Sequence, residues 1–264
     1  MKVAIIQFPG SNCHVETRNA CSFFGIDNEV LLWTVSPVQL KDFDAYILPG
    51  GFSYQDRIRA GAIAARMTLL SMINEAIEDE KPILGICNGC QILAESACVP
   101  GFEPASQMQM ALAHNQYQQS ASGFVCDWSY VKVQQPSSNV FTRYFDEDEI
   151  IPIPINHGEG RFVFHESLSE VKLSKLSSFK YVDSNGQVLK EAVNGSFSSY
   201  AGISNFKGNV FAMMPHPERA AFLKQIPMSL DSKWGSRRRN LSLKNSTNLA
   251  GSCEKIFVAL KESK

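Results

Sequence analysis

No apolar run in the 264 residues approaches the roughly 18 that a membrane-crossing helix requires. Neither sign of charge is in surplus. The 25 Lys and Arg stand against 26 Asp and Glu, a formal charge of −1, so nucleic acid and anionic membranes meet no general attraction. No glycine is followed by lysine, which removes a phosphate-cradling P-loop, and no His, Cys and acidic residues fall at metal-site spacing. The seven cysteines are odd in number and irregularly placed. That argues against a secreted disulfide framework and for a reducing cytosol. The N-terminal apolar run is broken at Gln7 and Pro9, too early for a signal peptide, and reads as a first buried strand. Repeats and linker-like stretches are also missing. Apolar material is not: 44% of residues are hydrophobic and 19% charged, enough for a sizeable core.

The first half alternates short apolar runs with helical periodicity. Strands are predicted at residues 3–8, 29–33, 45–48 and 82–86. A helix is predicted through Ala20, Cys21 and Phe24, and another on the spacing of Ile63, Met67, Leu70, Ile73 and Ile77. Such alternation predicts an α/β fold with a doubly wound, mostly parallel sheet flanked by helices, whose ligands gather at the carboxyl ends of the strands. From about residue 121 the texture changes to short strands and turns, with strands predicted at 125–134, 150–155, 179–182 and 209–212. Without a linker, residues 1–264 are expected to form one domain. The polar segment 231–251, which carries Arg237-Arg238-Arg239, is expected to be a surface insertion, its arginines solvated, docked on an acidic partner face or touching nucleic acid. Cys253, Ile256, Phe257 and Leu260 mark the buried face of a last helix.

Gly85-Ile86-Cys87-Asn88-Gly89 has the form of a nucleophile elbow with cysteine in place of serine. A thiol there lies at a helix N-terminus, where partial positive charge favours thiolate, and the next backbone N–H can face a developing oxyanion. The flanking glycines are expected to let the chain turn and a substrate approach. A buried cysteine packed at a strand end fits the same pattern. A thiolate nucleophile needs a proton carrier. Of the five histidines, His216 is preferred because it follows a predicted strand in Pro215-His216-Pro217-Glu218. Pro217 biases it to an extended conformation, which projects Glu218 to the same side. Gly50-Gly51, at the end of the neighbouring strand, offers a second backbone donor to the same crevice. Taken alone, each of these is also an ordinary turn.

Taken together, these stretches resemble the class I, triad-type glutamine amidotransferases. Arg59-Ala60-Gly61-Ala62-Ile63-Ala64, His157-Gly158-Glu159-Gly160 and Met214-Pro215-His216-Pro217-Glu218-Arg219 narrow the resemblance to the glutaminase subunits of phosphoribosylformylglycinamidine synthase. The resemblance implies a flavodoxin-like core and a triad of Cys87, His216 and Glu218. It also implies an oxyanion hole from the backbone of Gly51 and Asn88, and a glutamine-binding Gln91. It implies no metal and no cofactor on this chain. Glutamine would be hydrolysed through a cysteine thioester. The ammonia would serve a large PurL-like synthetase subunit that holds ATP and magnesium, with a small PurS-like subunit where that synthetase is short. The setting implied is cytoplasmic.

Three departures carry expectations of their own. Gln55 stands where the family has glycine, so a positive φ there would strain it. Cys90 replaces a phenylalanine and creates Cys87-x-x-Cys90, the form of a thioredoxin-like redox pair and a candidate regulatory disulfide. The family's Asn-x-Ser stretch is not clean around residues 119–121, which leaves the glutamine contacts of 103–124 unassigned. A glutaminase serving another synthetase is the nearer rival to the purine reading.

Overall fold

The structure is a computed structural model that describes residues 1–102, 107–116, 123–189, 193–241 and 249–263. The first four strands are β1 (Lys2–Gln7), β2 (Asp27–Leu32), β3 (Ala45–Leu48) and β4 (Ile83–Ile86), and every residue of β3 and β4 is buried. Continuous apolar runs make three of the four, β1, β3 and β4, which are buried on both faces, while β2 is the half-exposed edge strand. Between them run α1 (His14–Phe23), α2 (Pro37–Lys41) and α3 (Thr68–Glu78). Ser36 opens α2 with a capping box: its hydroxyl accepts from Gln39 N–H, while Pro37 takes the first helical position. The helix α4 (Asn88–Glu95) follows β4 directly and packs on β3, β4 and two later strands.

The second half adds β5 (Met110–Ala113), β6 (Val125–Gln134), β7 (Ile150–His157), β8 (Arg161–Phe164), β9 (Ser178–Val182), β10 (Tyr200–Ser204) and β11 (Val210–Met213). It also adds α5 (Glu170–Leu173), α6 (Lys233–Leu241) and α7 (Glu254–Lys261). Among the described residues nine strands form one sheet in the order β2-β1-β3-β4-β11-β10-β9-β6-β7, and β5 with β8 forms a separate pair. From β2 to β11 all neighbours are parallel; from β11 to β7 all are antiparallel. The doubly wound core is therefore as expected, with an antiparallel extension on one side. β5, β8 and β10 were not predicted.

Two local differences have plain causes. The apolar spacing from Ile63 to Ile77 crosses a break: Met67 is extended (φ −74°, ψ 146°), and α3 starts only at Thr68. The segment 231–251 is not simply a loop. It carries α6, in which Arg238 and Arg239 donate to the carbonyls of Ile226 and Met228, and Arg237 lies over the Trp234 ring. Two of its three arginines therefore hold the helix to its own chain. The excursion is closed where Leu223 N–H donates to Leu249 O and Gly251 N–H to Ala221 O. α7 then buries Cys253, Ile256, Phe257 and Leu260 as expected.

Topology brings the chemistry to one edge. β1, β3, β4 and β11 are parallel, so the turns carrying Cys13, Gly50-Gly51, Cys87 and His216 all leave the same end of the sheet. The far strand β7 also returns to this end: His216 N–H donates to Pro154 O at 2.9 Å.

Candidate active site

Cys87 ends β4 with φ 51° and ψ −105°, a combination outside the regions open to an L-residue without strain. The turn is held from both sides. Cys87 N–H donates to Met213 O at 2.7 Å, and its carbonyl starts the helical ladder by accepting from Gln91 N–H at 3.1 Å. The flanking glycines have a packing role as well. A Cβ on Gly89 would fall 1.9 Å from Leu48 O, and one on Gly85 would fall 2.8 Å from Gly89 O. They let α4 press directly on β3 and β4, which forces the sharp bend onto Cys87 itself. The Cys87 thiol points at Asn156 O, 3.6 Å away on β7.

His216 is buried in an extended conformation, and its Nδ1 lies 2.6 Å from the equally buried Glu218 Oε1. Burial disfavours the imidazolium, but the Glu218 carboxylate and the Cys87 sulfur overcome it and hold the His216 pKa well above 6.5. The ring also lies against Gly50: a Cβ there would meet His216 Cε1 at 2.9 Å, Cys13 Sγ at 3.1 Å and Cys87 Cβ at 3.4 Å. Two thiols and one imidazole thus converge on a position that only glycine can occupy.

The loop after β3 curls tightly against the loop after β1. Gly51 (φ +145°) leaves no room for a side chain, since a Cβ would lie 2.6 Å from Ser11 Cα, and Phe52 N–H donates to Gly10 O at 3.0 Å. Tyr54, Gln55 and Asp56 follow with φ of 54°, 60° and 52°. The departure at Gln55 therefore falls on a position that takes a positive φ. Gln55→Gly is expected to raise unfolding stability by about 1 kcal/mol. Urea unfolding checks this, and a lowered midpoint would show the loop to be unstrained there. Asn88 opens α4, where first-turn N–H groups lack helical acceptors. Gln91 is also buried, and both ends of its amide are engaged, with Asn88 and with Glu159 O. The Asn-x-Ser position near 119–121 lies outside the described residues.

One neighbour, Cys13, was not singled out in the sequence. Cys13 is buried and accepts from Arg219 Nη2 at 3.2 Å. Its signal was its place after β1, at the same carboxyl edge as the other site residues. Donor atoms of Cys13, His216 and Glu218 lie within 4.8 Å of one another. The Arg219 guanidinium against Cys13 puts a cation where a metal would need none. Arg59 is bound by the buried Glu95 carboxylate, with its Nη2 2.7 Å from Oε2. Cys90 is wholly buried, and burial first, then Cys87, pushes its thiol well above 9, which does not suit a redox partner. All the cysteines are free.

His157, first residue of the His-Gly-Glu-Gly stretch, is buried with its Nδ1 3.2 Å from Asn115 Oδ1. Burial, and then the neighbouring His216, lowers its pKa to about 3. The unfolded chain takes up this proton below pH 6.5 while the fold refuses it. The stability contribution is therefore complete above 6.5 and is lost as pH falls toward 3, by about 2 kcal/mol at pH 5. Its NMR ring resonance should not titrate between pH 8 and 5; a midpoint near 6.5 would contradict the burial argument.

The CobB/CobQ-like glutamine amidotransferase domain model matches residues 1–246. The subunit PurQ of phosphoribosylformylglycinamidine synthase from Methanothrix thermoacetophila is 40% identical over 86% of this chain and 89% of its own length. The chain belongs to the PurQ family of glutamine amidotransferases. PurQ from Methanopyrus kandleri is 43% identical over 84% of this chain and 90% of its own. Among solved structures, a chain of PurLQS from Thermotoga maritima superposes with a TM-score of 0.72 at 31% identity, covering 98% of this chain and 96% of that one. Family membership makes this chain a glutamine amidotransferase. It also sets aside the thioredoxin-like alternative.

Proposed function

We propose that this chain is the glutaminase subunit of phosphoribosylformylglycinamidine synthase. It hydrolyses glutamine to glutamate and ammonia, and the ammonia goes to a partner synthetase that converts formylglycinamide ribonucleotide to formylglycinamidine ribonucleotide. The carrying observation is the strained Cys87 elbow set beside a buried His216–Glu218 pair. Cys87 sulfur attacks the side-chain amide carbon of glutamine, and the carbonyl electrons move to oxygen. The N–H groups of Gly51 and Asn88 receive that oxyanion. Its collapse breaks the C–N bond as His216 delivers a proton to the departing ammonia, leaving a γ-glutamyl thioester. His216 then takes a proton from water, which attacks the thioester and frees glutamate and Cys87. Glu218 holds the imidazole tautomer and charge. Gln91 shapes the glutamine site through the two hydrogen bonds of its amide rather than with a free side-chain end.

In this reading the partners are a PurL-like synthetase, which carries ATP and magnesium, and a PurS-like small subunit. The setting is the cytoplasm; no helix among the described residues is long and apolar enough to cross a membrane. Residues 1–264 act as one unit, with 231–251 as a surface excursion. The test is reconstitution with the purine synthetase, followed by assay of formylglycinamidine ribonucleotide with glutamine as the nitrogen source. Product that depends on both subunits supports the reading. Glutamate release that only another synthetase stimulates would assign the glutaminase elsewhere.

A further inference from the structure

Asn88 contributes a side chain as well as a backbone N–H, and the side chain reaches the opposite wall of the site. Its Oδ1 accepts from Ser53 N–H at 3.1 Å, two residues beyond Gly51. Its Nδ2 donates to Gln91 Oε1 at 2.9 Å and lies 3.4 Å from Asp56 Oδ1. Gln91 Nε2 passes the chain on to Glu159 O at 2.7 Å, and Glu159 Oε2 accepts from Ala60 N–H at 3.1 Å. The ends of the two-amide relay are backbone groups of fixed polarity, a donor at Ser53 and an acceptor at Glu159. Both carboxamides can therefore be oriented in only one way. Asn88 and Gln91 are buried, so a broken link would leave a polar atom without a partner.

The relay meets the loop where it is under strain. Tyr54, Gln55 and Asp56 all have left-handed backbones, which L-residues keep only when the surroundings hold them. The Ser53–Asn88 bond ties that loop to the first turn of α4. We propose that the Asn88 carboxamide is a positioning residue that fixes the Gly51 donor relative to the Asn88 donor, so that both meet one oxyanion. The inference rests on reading those two N–H groups as the oxyanion hole.

The charges around Asn88 provide a readout that a merely structural role would not give. Asp56 faces it from the loop and Glu159 from beyond β7. Cys87 precedes it, His114 lies 3.6 Å from Glu159, and Arg59 is committed to Glu95. Burial, reinforced by Glu159, pushes Asp56 up to about 6. Asn88→Asp preserves shape. Ionised, its carboxylate still accepts from Ser53 but cannot donate to Gln91 and opposes Asp56. Protonated, it again offers one acceptor and one donor. Its defect should therefore shrink as pH falls.

The experiment measures glutaminase kcat and KM of the assembled synthetase complex from pH 8 to 5.5, each variant expressed as a ratio to wild type. Asn88→Ala should lose on the order of 10²-fold in kcat with KM nearly unchanged, at every pH. Asn88→Asp should match that loss at pH 8 and recover about tenfold of it by pH 5.5. A pH-independent ratio for Asn88→Asp, with wild type active, overturns the inference and leaves the glutaminase reading intact. An inactive wild type overturns the glutaminase reading instead. Hydrogen exchange tests the positioning without any activity: Ser53 N–H should exchange at least about tenfold faster in Asn88→Ala, and unchanged protection there would also overturn it.

Discussion

Cys87→Ala is expected to lower glutamine hydrolysis by about 10⁴-fold or more while unfolding as cooperatively as wild type. In the proposed mechanism the substitution removes the nucleophile outright, and no rearrangement of His216 and Glu218 replaces a covalent step. On the activation scale, 10⁴-fold corresponds to about 5.5 kcal/mol. The site makes the experiment discriminating because it contains two thiols beside one imidazole. Cys13 shares the Gly50 face with Cys87, but it lies in the turn after β1, where no elbow exposes it, and it is engaged by Arg219. Cys13→Ala should therefore cost about tenfold at most, the size of one lost hydrogen-bond partner. Glutamate release by both single variants, or the larger loss in Cys13→Ala, would mean the nucleophile has been misassigned. Relief of the strained backbone at Cys87 adds a secondary expectation: Cys87→Gly should be the more stable of the two Cys87 variants, because glycine tolerates φ 51°.

The second large effect concerns folding. Gly89→Ala would put a Cβ 1.9 Å from Leu48 O, and that oxygen belongs to a central strand that cannot yield cheaply. α4 would have to lift off β3, taking Asn88 and Gln91 with it and opening the packing beneath Cys87. A cost above about 3 kcal/mol is expected, together with loss of glutaminase activity. Equilibrium urea unfolding checks the first part. A change below 1 kcal/mol would show that the helix has slack there, and that the elbow is not forced by close packing.

The pattern at Gly85-Ile86-Cys87-Asn88-Gly89 was legible because an elbow is a local object, written in five consecutive residues. The same is true of His216-Pro217-Glu218, whose 2.6 Å contact needs only an extended chain and a proline. The packing role of the glycines was not legible. It depends on the approach of α4 to Leu48, some forty positions earlier in the chain. Cys13 escaped notice for a similar reason: its partner Arg219 is 206 residues away, and only the parallel pairing of β1, β3, β4 and β11 brings them together. Asn156 comes to Cys87 because the antiparallel half of the sheet returns to the carboxyl edge, a curvature that no single strand announces. β5 and β8 were missed because, unlike the equally short β3 and β4, they are only partly buried and are paired across about fifty residues of chain. At Gln55 it was the family resemblance, with glycine at that position, that raised the expectation of strain, and the positive φ of 60° meets its condition.

The role given to Cys87 is tested most directly by trapping its covalent intermediate. The complex is mixed with glutamine, quenched in acid within its turnover time, digested and examined by mass spectrometry. A γ-glutamyl adduct on the peptide containing Cys87, absent in Cys87→Ala and decaying at the rate of glutamate release, is the predicted result. Steady glutamate release with no adduct on Cys87, or with the adduct on another cysteine, would contradict it.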